Sequence, residues 1–326
     1  MQRLDGPAVW RAADMEASTA WRIDLESGIA SEMAEAARRA AADGAPIVAV
    51  DRRSFAAPGA DALAERIHDE LENGVGFVVL GCLPFSALSY EEQVALTLGL
   101  SDRVGRVVPQ NYELQRIVDV RDEGVEYSHR SRGYRGNKRL PFHTDGAHLF
   151  SLSCLGVAAS GGETIIVSGS AVYNQLLEER PEAVDILCRG FYHHRRGQHD
   201  PGEPPLSAER VPVFAFHNGL LHCCYNRNPI EWAEREGVDI TDAERAALDA
   251  LDDVLAREEM QLRLNLQPGE SAFINNFITL HSRTEYQDGP GLRRHMLRVW
   301  MRDPNSRRSG FSLLDLYVPK AHVEVS

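Results

Sequence analysis

Pro141-Phe142-His143-Thr144-Asp145-Gly146 puts an imidazole and a carboxylate two residues apart. In an extended segment, residues i and i+2 point to the same face. The pair therefore offers two of the three donors in a 2-His-1-carboxylate facial triad for non-haem Fe(II). Alone, an HxD pair is a weak signal, because such pairs arise by chance. A distant histidine would complete the triad, and His281 in Asn275-Asn276-Phe277-Ile278-Thr279-Leu280-His281-Ser282-Arg283 is placed for it. Arg293-Arg294-His295-Met296-Leu297-Arg298 follows closely. The order HxD, late His, arginine cluster is much more specific than any one part.

Working outward, the chain reads as short strands joined by turns, with helices mainly at the start and in insertions. Residues 15–42 have apolar positions at helical spacing and close at Asp43-Gly44. Residues 47–50 suggest a short strand, 61–72 a second helix, 76–81 a strong strand and 90–100 a third helix. Residues 106–120 look extended, interrupted by Pro109. Beyond the HxD, 152–159 and 163–167 read as strands about Gly161-Gly162, and 170–180 and 181–188 as helices, Pro181 suiting a first turn. Asn218-Gly219 between apolar runs marks a hairpin. Thr241 and Glu244 form a capping box opening a helix that runs to Met260. Strands are expected at 262–266, 271–280 and 294–301. On a strand, Arg294 and Arg298 share a face with Met296 and Trp300, and Arg293 points away.

Two segments leave their roles open. Residues 127–139 hold His129, Arg130, Arg132, Arg135, Lys138 and Arg139 with Gly133 and Gly136. They read as a solvated surface loop or as a lid that offers arginine to an anionic substrate. Residues 191–212 carry His193, His194 and His199 and read as an exposed polar excursion. No carboxylate or cysteine stands there at zinc-like spacing.

The 326 residues, 43% hydrophobic and 25% charged, are ordinary for a soluble globular protein. A net charge of −13 argues against nucleic acid or an anionic membrane as a general partner. The five cysteines are odd in number and lack CxxC spacing, which points to free thiols in a reducing compartment. Cys223-Cys224 reads as a buried strand pair. Met1 to Ala20 lacks an apolar signal core, and no run approaches the ~20 apolar residues of a membrane span. A cytoplasmic location is expected.

The chain resembles the TauD/TfdA, clavaminate-synthase-like Fe(II)/2-oxoglutarate dioxygenases. Gly76-Phe77-Val78-Val79-Leu80-Gly81, His143-Thr144-Asp145, Gly161-Gly162-Glu163-Thr164, Asn275-Asn276…His281-Ser282-Arg283-Thr284 and Arg293-Arg294…Arg298 carry the resemblance, in order, from about Gly74 to about Asp303. It implies a mainly β fold with peripheral helices about a double-stranded β-helix (jelly-roll, cupin-like) core. The expected layout is a single domain over 1–326. Residues 1–73 form a helical N-terminal part, 74–303 the core with an insertion at about 191–260, and 304–326 a tail.

The resemblance further implies His143, Asp145 and His281 as iron ligands, leaving positions for 2-oxoglutarate and O2. Arg294 matches the partner of the far carboxylate of 2-oxoglutarate, and Thr164 a hydroxyl donor to it. Arg298 would touch the co-substrate or a substrate anion, or serve as a buried ion-pair partner. Related halogenases replace the carboxylate ligand by Ala or Gly; Asp145 here favours oxygenation. The expected reaction is hydroxylation of an aliphatic carbon, with desaturation, cyclisation or epoxidation as other outcomes of the same chemistry. The expected substrate is a small anionic or zwitterionic metabolite, such as an amino acid or a derivative. Gln110, Arg130, Arg132, Arg135, Tyr225 and Arg298 are its candidate contacts. His148 reads as a core residue near the site. A homo-oligomer stays open. The rivals are a zinc hydrolase on the same ligands, which leaves Arg294 and Thr164 unexplained, and a non-catalytic jelly-roll binding protein.

Overall fold

The computed structural model describes residues 2–304, 306 and 313–319. In chain order the strands are β1 (Arg22–Asp24), β2 (Phe77–Gly81), β3 (Arg106–Val108), β4 (Ile117–Val120), β5 (Leu140–His143), β6 (Leu149–Gly156), β7 (Ser160–Gly161) and β8 (Thr164–Ser168). They continue as β9 (Phe214–His217), β10 (Leu220–Cys223), β11 (Leu262–Leu264), β12 (Ser271–Asn275), β13 (Thr279–Arg283), β14 (Tyr286–Gln287) and β15 (His295–Arg302). A seven-stranded sheet runs β1-β2-β12-β6-β15-β3, with β4 also on β15; a four-stranded sheet runs β11-β8-β13-β5.

The two sheets are the middle layers of four. Along β2, Phe77 and Val79 face the inter-sheet core, and Val78 and Leu80 face the opposite side. On β15, Met296 and Trp300 point inward, Leu297, Val299 and Met301 outward. Both faces are covered, so β2 is apolar throughout and β15 carries apolar residues on both sides rather than alternating. Ile166, Leu262 and Leu264 of the smaller sheet meet Phe150, Ile274 and Trp300 in that core. Helices Ser27–Ala42, Gly59–Glu72 and Tyr90–Val104 cover the outer face of the large sheet through Met33, Ile67 and Leu96. Helices Gly169–Glu179, Pro181–Arg189 and Asp242–Leu255 cover the small sheet, packing Val172, Leu187 and Leu251 against Ile165, Val167 and Leu280.

Several local expectations hold at the atomic level. The Thr241 hydroxyl accepts from the Glu244 amide as expected, and Ser89, a cap not anticipated, accepts likewise from Glu92, so each helix start satisfies its own free amides. Asn218 and Gly219 have φ of 51° and 76°, the left-handed pair that a tight hairpin between β9 and β10 demands.

Others change. The expected helix over 15–42 divides into Ala12–Glu16 and Ser27–Ala42, because residues 22–24 between them pair in parallel with β2. Residues 47–49 form a 3-10 turn rather than a strand, since the Val50 amide bonds locally to the Ile47 carbonyl. The segment 191–212 is no exposed excursion. His193, His194, Arg195 and Arg196 are buried, and the segment is tied back through bridges Phe191↔Val211 and His194↔Leu206. All five cysteines are free, and Cys223 and Cys224 are buried. Among the described residues, no helix is long and apolar enough to cross a membrane.

Candidate metal centre

β5 ends at His143, and the turn after it is held from two sides. The Thr144 amide donates to the Tyr225 carbonyl at 2.7 Å, and the Tyr225 amide to the Thr144 hydroxyl at 3.1 Å. The Asp145 amide donates to Asn276 Oδ1 at 3.0 Å, and Asn276 Nδ2 to the Ala147 carbonyl at 2.8 Å. Asn276 thus ties the HxD turn to the chain leading into β13. There, His281 lies opposite His143 in the antiparallel register of β13 and β5. One donor atom each from His143, Asp145 and His281 falls within 4.8 Å of the others, the one such cluster among the described residues.

The protonation states suit a divalent cation. His143 Nδ1 lies 2.8 Å from the Pro141 carbonyl, which can only accept, so Nδ1 carries the proton and Nε2 offers its lone pair. Burial pushes the His281 pKa down to about 3, and it also lowers that of His143, so both imidazoles are neutral near pH 7. His281 Nδ1 is buried without a hydrogen-bond partner. Burial is the largest influence on Asp145 and would raise its pKa, but Arg298, His281, His143 and Arg132 together outweigh it and hold the carboxyl below the usual carboxylate range. Arg298 Nη1 lies 3.2 and 3.1 Å from the two Asp145 oxygens, and Trp300 Nε1 donates to Oδ2 at 3.0 Å. Two neutral imidazoles and one carboxylate are the donor set that suits Fe(II).

The Trp300 contact has a measurable consequence. Trp300→Phe keeps an aromatic ring in the core but removes the N–H that orients Asp145. Partners of metal ligands are worth about 10–100-fold in metal affinity. The variant is expected to bind Fe(II) at least about tenfold more weakly in a competitive chelator titration, with its fold intact. Unchanged affinity would show that Arg298 alone positions the carboxylate.

A second cleft opens beside Arg294, lined also by Gly162, Thr164, Leu264 and Met296. Arg294 is 2% exposed. Its Nε donates to the Gly162 carbonyl at 3.1 Å, but Nη1 is buried with no partner. Among the described residues no carboxylate forms an ion pair with it; burial lowers its pKa. Gly162 has φ +80°, and a Cβ there would lie 2.8 Å from Arg294 Cδ, so only glycine leaves this guanidinium its place. A buried cation with a free donor is costly unless an anion meets it, and the far carboxylate of 2-oxoglutarate fits that role.

The remaining predicted residues separate clearly. Arg132 and Arg298 line the cavity in front of the triad. Gln110 is fully buried and serves Arg298: its Oε1 accepts from Arg298 Nε at 2.9 Å, and its Nε2 donates to the Arg298 carbonyl at 2.9 Å. Tyr225 is buried with its hydroxyl donating to Asp252, so its neighbour Asn226 reaches the cavity instead. Arg130 and Arg135 are exposed, and Arg135 pairs with Glu123 at 2.7 Å. His148 is buried against Phe277, with Nδ1 near the Asp303 carbonyl. The 127–139 segment is neither solvated throughout nor detached. Tyr127, Arg132 and Tyr134 form one cavity wall, while Arg283 Nη2 grips the Gly136 carbonyl at 2.8 Å.

Arg196 and Tyr317 also line the cavity and were not anticipated. The one sequence signal for Arg196 was the basic run His193-His194-Arg195-Arg196 in an acidic protein.

The model of the taurine catabolism dioxygenase TauD, TfdA family matches residues 40–300. FR-33289 synthase of Streptomyces rubellomurinus is 32% identical over 318 residues, 95% of this chain and 93% of that protein. Among solved structures, an asparagine oxygenase in complex with Fe(II), 2S,3S-3-hydroxyasparagine and succinate superposes with a TM-score of 0.68 at 18% identity. That match covers 87% of this chain and 94% of the other. The non-heme iron oxygenase OrfP with Fe and alpha-ketoglutaric acid gives 0.62 at 17% identity, covering 88% and 96%.

Proposed function

This chain belongs to the taurine catabolism dioxygenase TauD, TfdA family, and from that premise we propose how its site divides the work. The protein is an Fe(II)/2-oxoglutarate-dependent dioxygenase. The metal and co-substrate supply the hard chemistry: 2-oxoglutarate and O2 become succinate and CO2, and one oxygen atom enters a C–H bond of the substrate.

In our reading His143, Asp145 and His281 hold the iron. Arg294 and Thr164 take the far carboxylate of 2-oxoglutarate, a planar acceptor that matches a guanidinium fork. Arg298 and Trp300 keep Asp145 ionised and aimed. Gln110 keeps Arg298 extended along β15. The stacked aromatic and arginine wall of Tyr127, Arg132, Tyr134 and Tyr317 excludes water from the reacting side. The two-sheet core is read as a double-stranded β-helix carrying the site between its sheets, and the chain as one catalytic unit. Five free thiols fit a reducing, cytoplasmic setting.

The outcome we favour is hydroxylation of an aliphatic carbon of a small anionic metabolite. The asparagine oxygenase neighbour, which holds a hydroxylated amino acid, supports a substrate of amino-acid size. The single observation that carries the reading is the pairing of a His/Asp/His cluster with a buried Arg294 whose Nη1 has no hydrogen-bond partner and which meets no carboxylate among the described residues. A hydrolase on the same three ligands has no use for that arginine. The test is an anaerobic absorbance titration of metal-free protein with Fe(II) and 2-oxoglutarate. A weak visible charge-transfer band is expected in the wild type and should fade in His143→Ala and Arg294→Ala. No band in folded wild-type protein would refute the reading.

A further inference from the structure

Three guanidiniums, Arg132, Arg196 and Arg298, border the cavity in front of the metal cluster, and one carboxylate, Asp145, borders it with them. Arg298 is spent on Asp145. Among the described residues, neither Arg132 nor Arg196 has a carboxylate within ion-pair distance. Arg196 is 7% exposed and its Nε is buried without a partner. Arg132 Nη1 donates to the Gln110 carbonyl at 2.7 Å. Both guanidinium carbons lie 5.0 Å from the centroid of the Tyr317 ring, and that of Arg132 lies 5.2 Å from Trp300. Aromatic faces hold a guanidinium through its π surface and leave N–H groups at its edge available.

We propose that Arg132 and Arg196 form a two-guanidinium receptor for a doubly charged tetrahedral head group on the substrate, a phosphonate or a phosphate monoester. The proposal rests on the oxygenase reading above and names the substrate class of that same site. Charge decides between head groups. Fe(II) and dianionic 2-oxoglutarate cancel each other, so their binding leaves at least two positive charges uncompensated around the cavity. A zwitterionic amino acid would neutralise neither, and a lone carboxylate only one. Cations this close repel each other: burial first, then Arg196 and Arg298, lower the Arg132 pKa to about 10, whereas on Arg196 burial is outweighed by Tyr317, Tyr127 and Asp145 together, which raise it. A dianion relieves that repulsion, and a tetrahedral head group offers three oxygens to donors arriving from two chain segments. The cavity of about 40 Å³ takes a few water-sized groups, which suits a compact head group close to the metal.

The test uses calorimetry on the metal-loaded protein with 2-oxoglutarate, without O2, and three probes of equal chain: propylphosphonate, propyl phosphate and butyrate. Either phosphorus probe is expected to bind at least about tenfold more tightly than butyrate, the worth of one extra charge-assisted hydrogen bond. The tighter of the two identifies the head group as phosphonate or ester. Affinity for propyl phosphate should rise between about pH 5 and 7 as the ester takes its second charge, and that for propylphosphonate, the weaker second acid, at higher pH. Arg196→Met and Arg132→Met should each erase the preference while 2-oxoglutarate binding stays unchanged. Butyrate binding as tightly as both phosphorus probes in the wild type, or a preference that survives both variants, would overturn the proposal. Failure of 2-oxoglutarate to bind the metal-loaded wild type would instead remove the oxygenase reading, so the two failures are told apart.

Discussion

Asp145→Ala is expected to abolish Fe(II) retention and turnover together. The carboxylate is the one anionic donor in the cluster, and it is presented ionised by Arg298 and Trp300. Removing a mere partner of a ligand costs up to about 100-fold in metal affinity, so removing the ligand should cost at least that. A second effect follows from charge. Arg298 is 7% exposed, and without Asp145 it joins Arg132 and Arg196 as a third unpaired cation. Breaking a buried pair by deleting one partner costs about 3–5 kcal/mol. The metal-free variant should therefore unfold at lower denaturant than metal-free wild type. Asp145→Asn separates the effects: it keeps the Trp300 hydrogen bond but not the charge, so metal should still be lost. Iron content after gel filtration and a urea titration of each apo-protein would read both. A variant that binds iron with wild-type affinity would show that Asp145 is not a ligand.

Arg294→Met should have the opposite profile. Its guanidinium is buried, bonded through Nε to the Gly162 carbonyl and otherwise unpaired. A methionine fills similar space without a desolvated charge, so the apo-variant should be as stable as wild type or more so. The affinity for 2-oxoglutarate should fall by roughly 100-fold, because losing one partner of a buried charged pair costs about 2–5 kcal/mol. Fe(II) affinity should hold, since Arg294 is not among the triad's contacts. Equilibrium binding of 2-oxoglutarate, with iron titrated separately, makes the distinction. If 2-oxoglutarate affinity holds and iron affinity falls, Arg294 supports the metal site instead of the co-substrate.

Gln110 shows how a residue can be read as polar and near the site and still be assigned the wrong partner. Sequence placed it at the end of an extended segment, a candidate substrate contact. In the fold its amide reaches across to β15 and braces Arg298 with a hydrogen bond at each end. Arg135 fails differently: it is on the right segment, but the turn at 133–135 directs it to Glu123 on the surface while Arg132 turns inward.

The sequence by itself determined what is written in short intervals. HxD sets two donors two residues apart, Thr241 and Glu244 start a helix, Asn218-Gly219 closes a hairpin, and Met296, Arg298 and Trp300 share one side of a strand. Each follows from backbone geometry over a few residues. Only the tertiary structure decided which distant groups meet. The register of β13 against β5 sets His281 opposite His143, and Asn276 clasps the turn between them. The return of 191–212 into the protein carries Arg196 to Tyr317, more than a hundred residues away in the chain. Such meetings are settled by what four packed layers bury, and no local pattern records that sum. For the same reason the excess positive charge of the cavity was invisible until the arginines of three separate segments stood around one carboxylate.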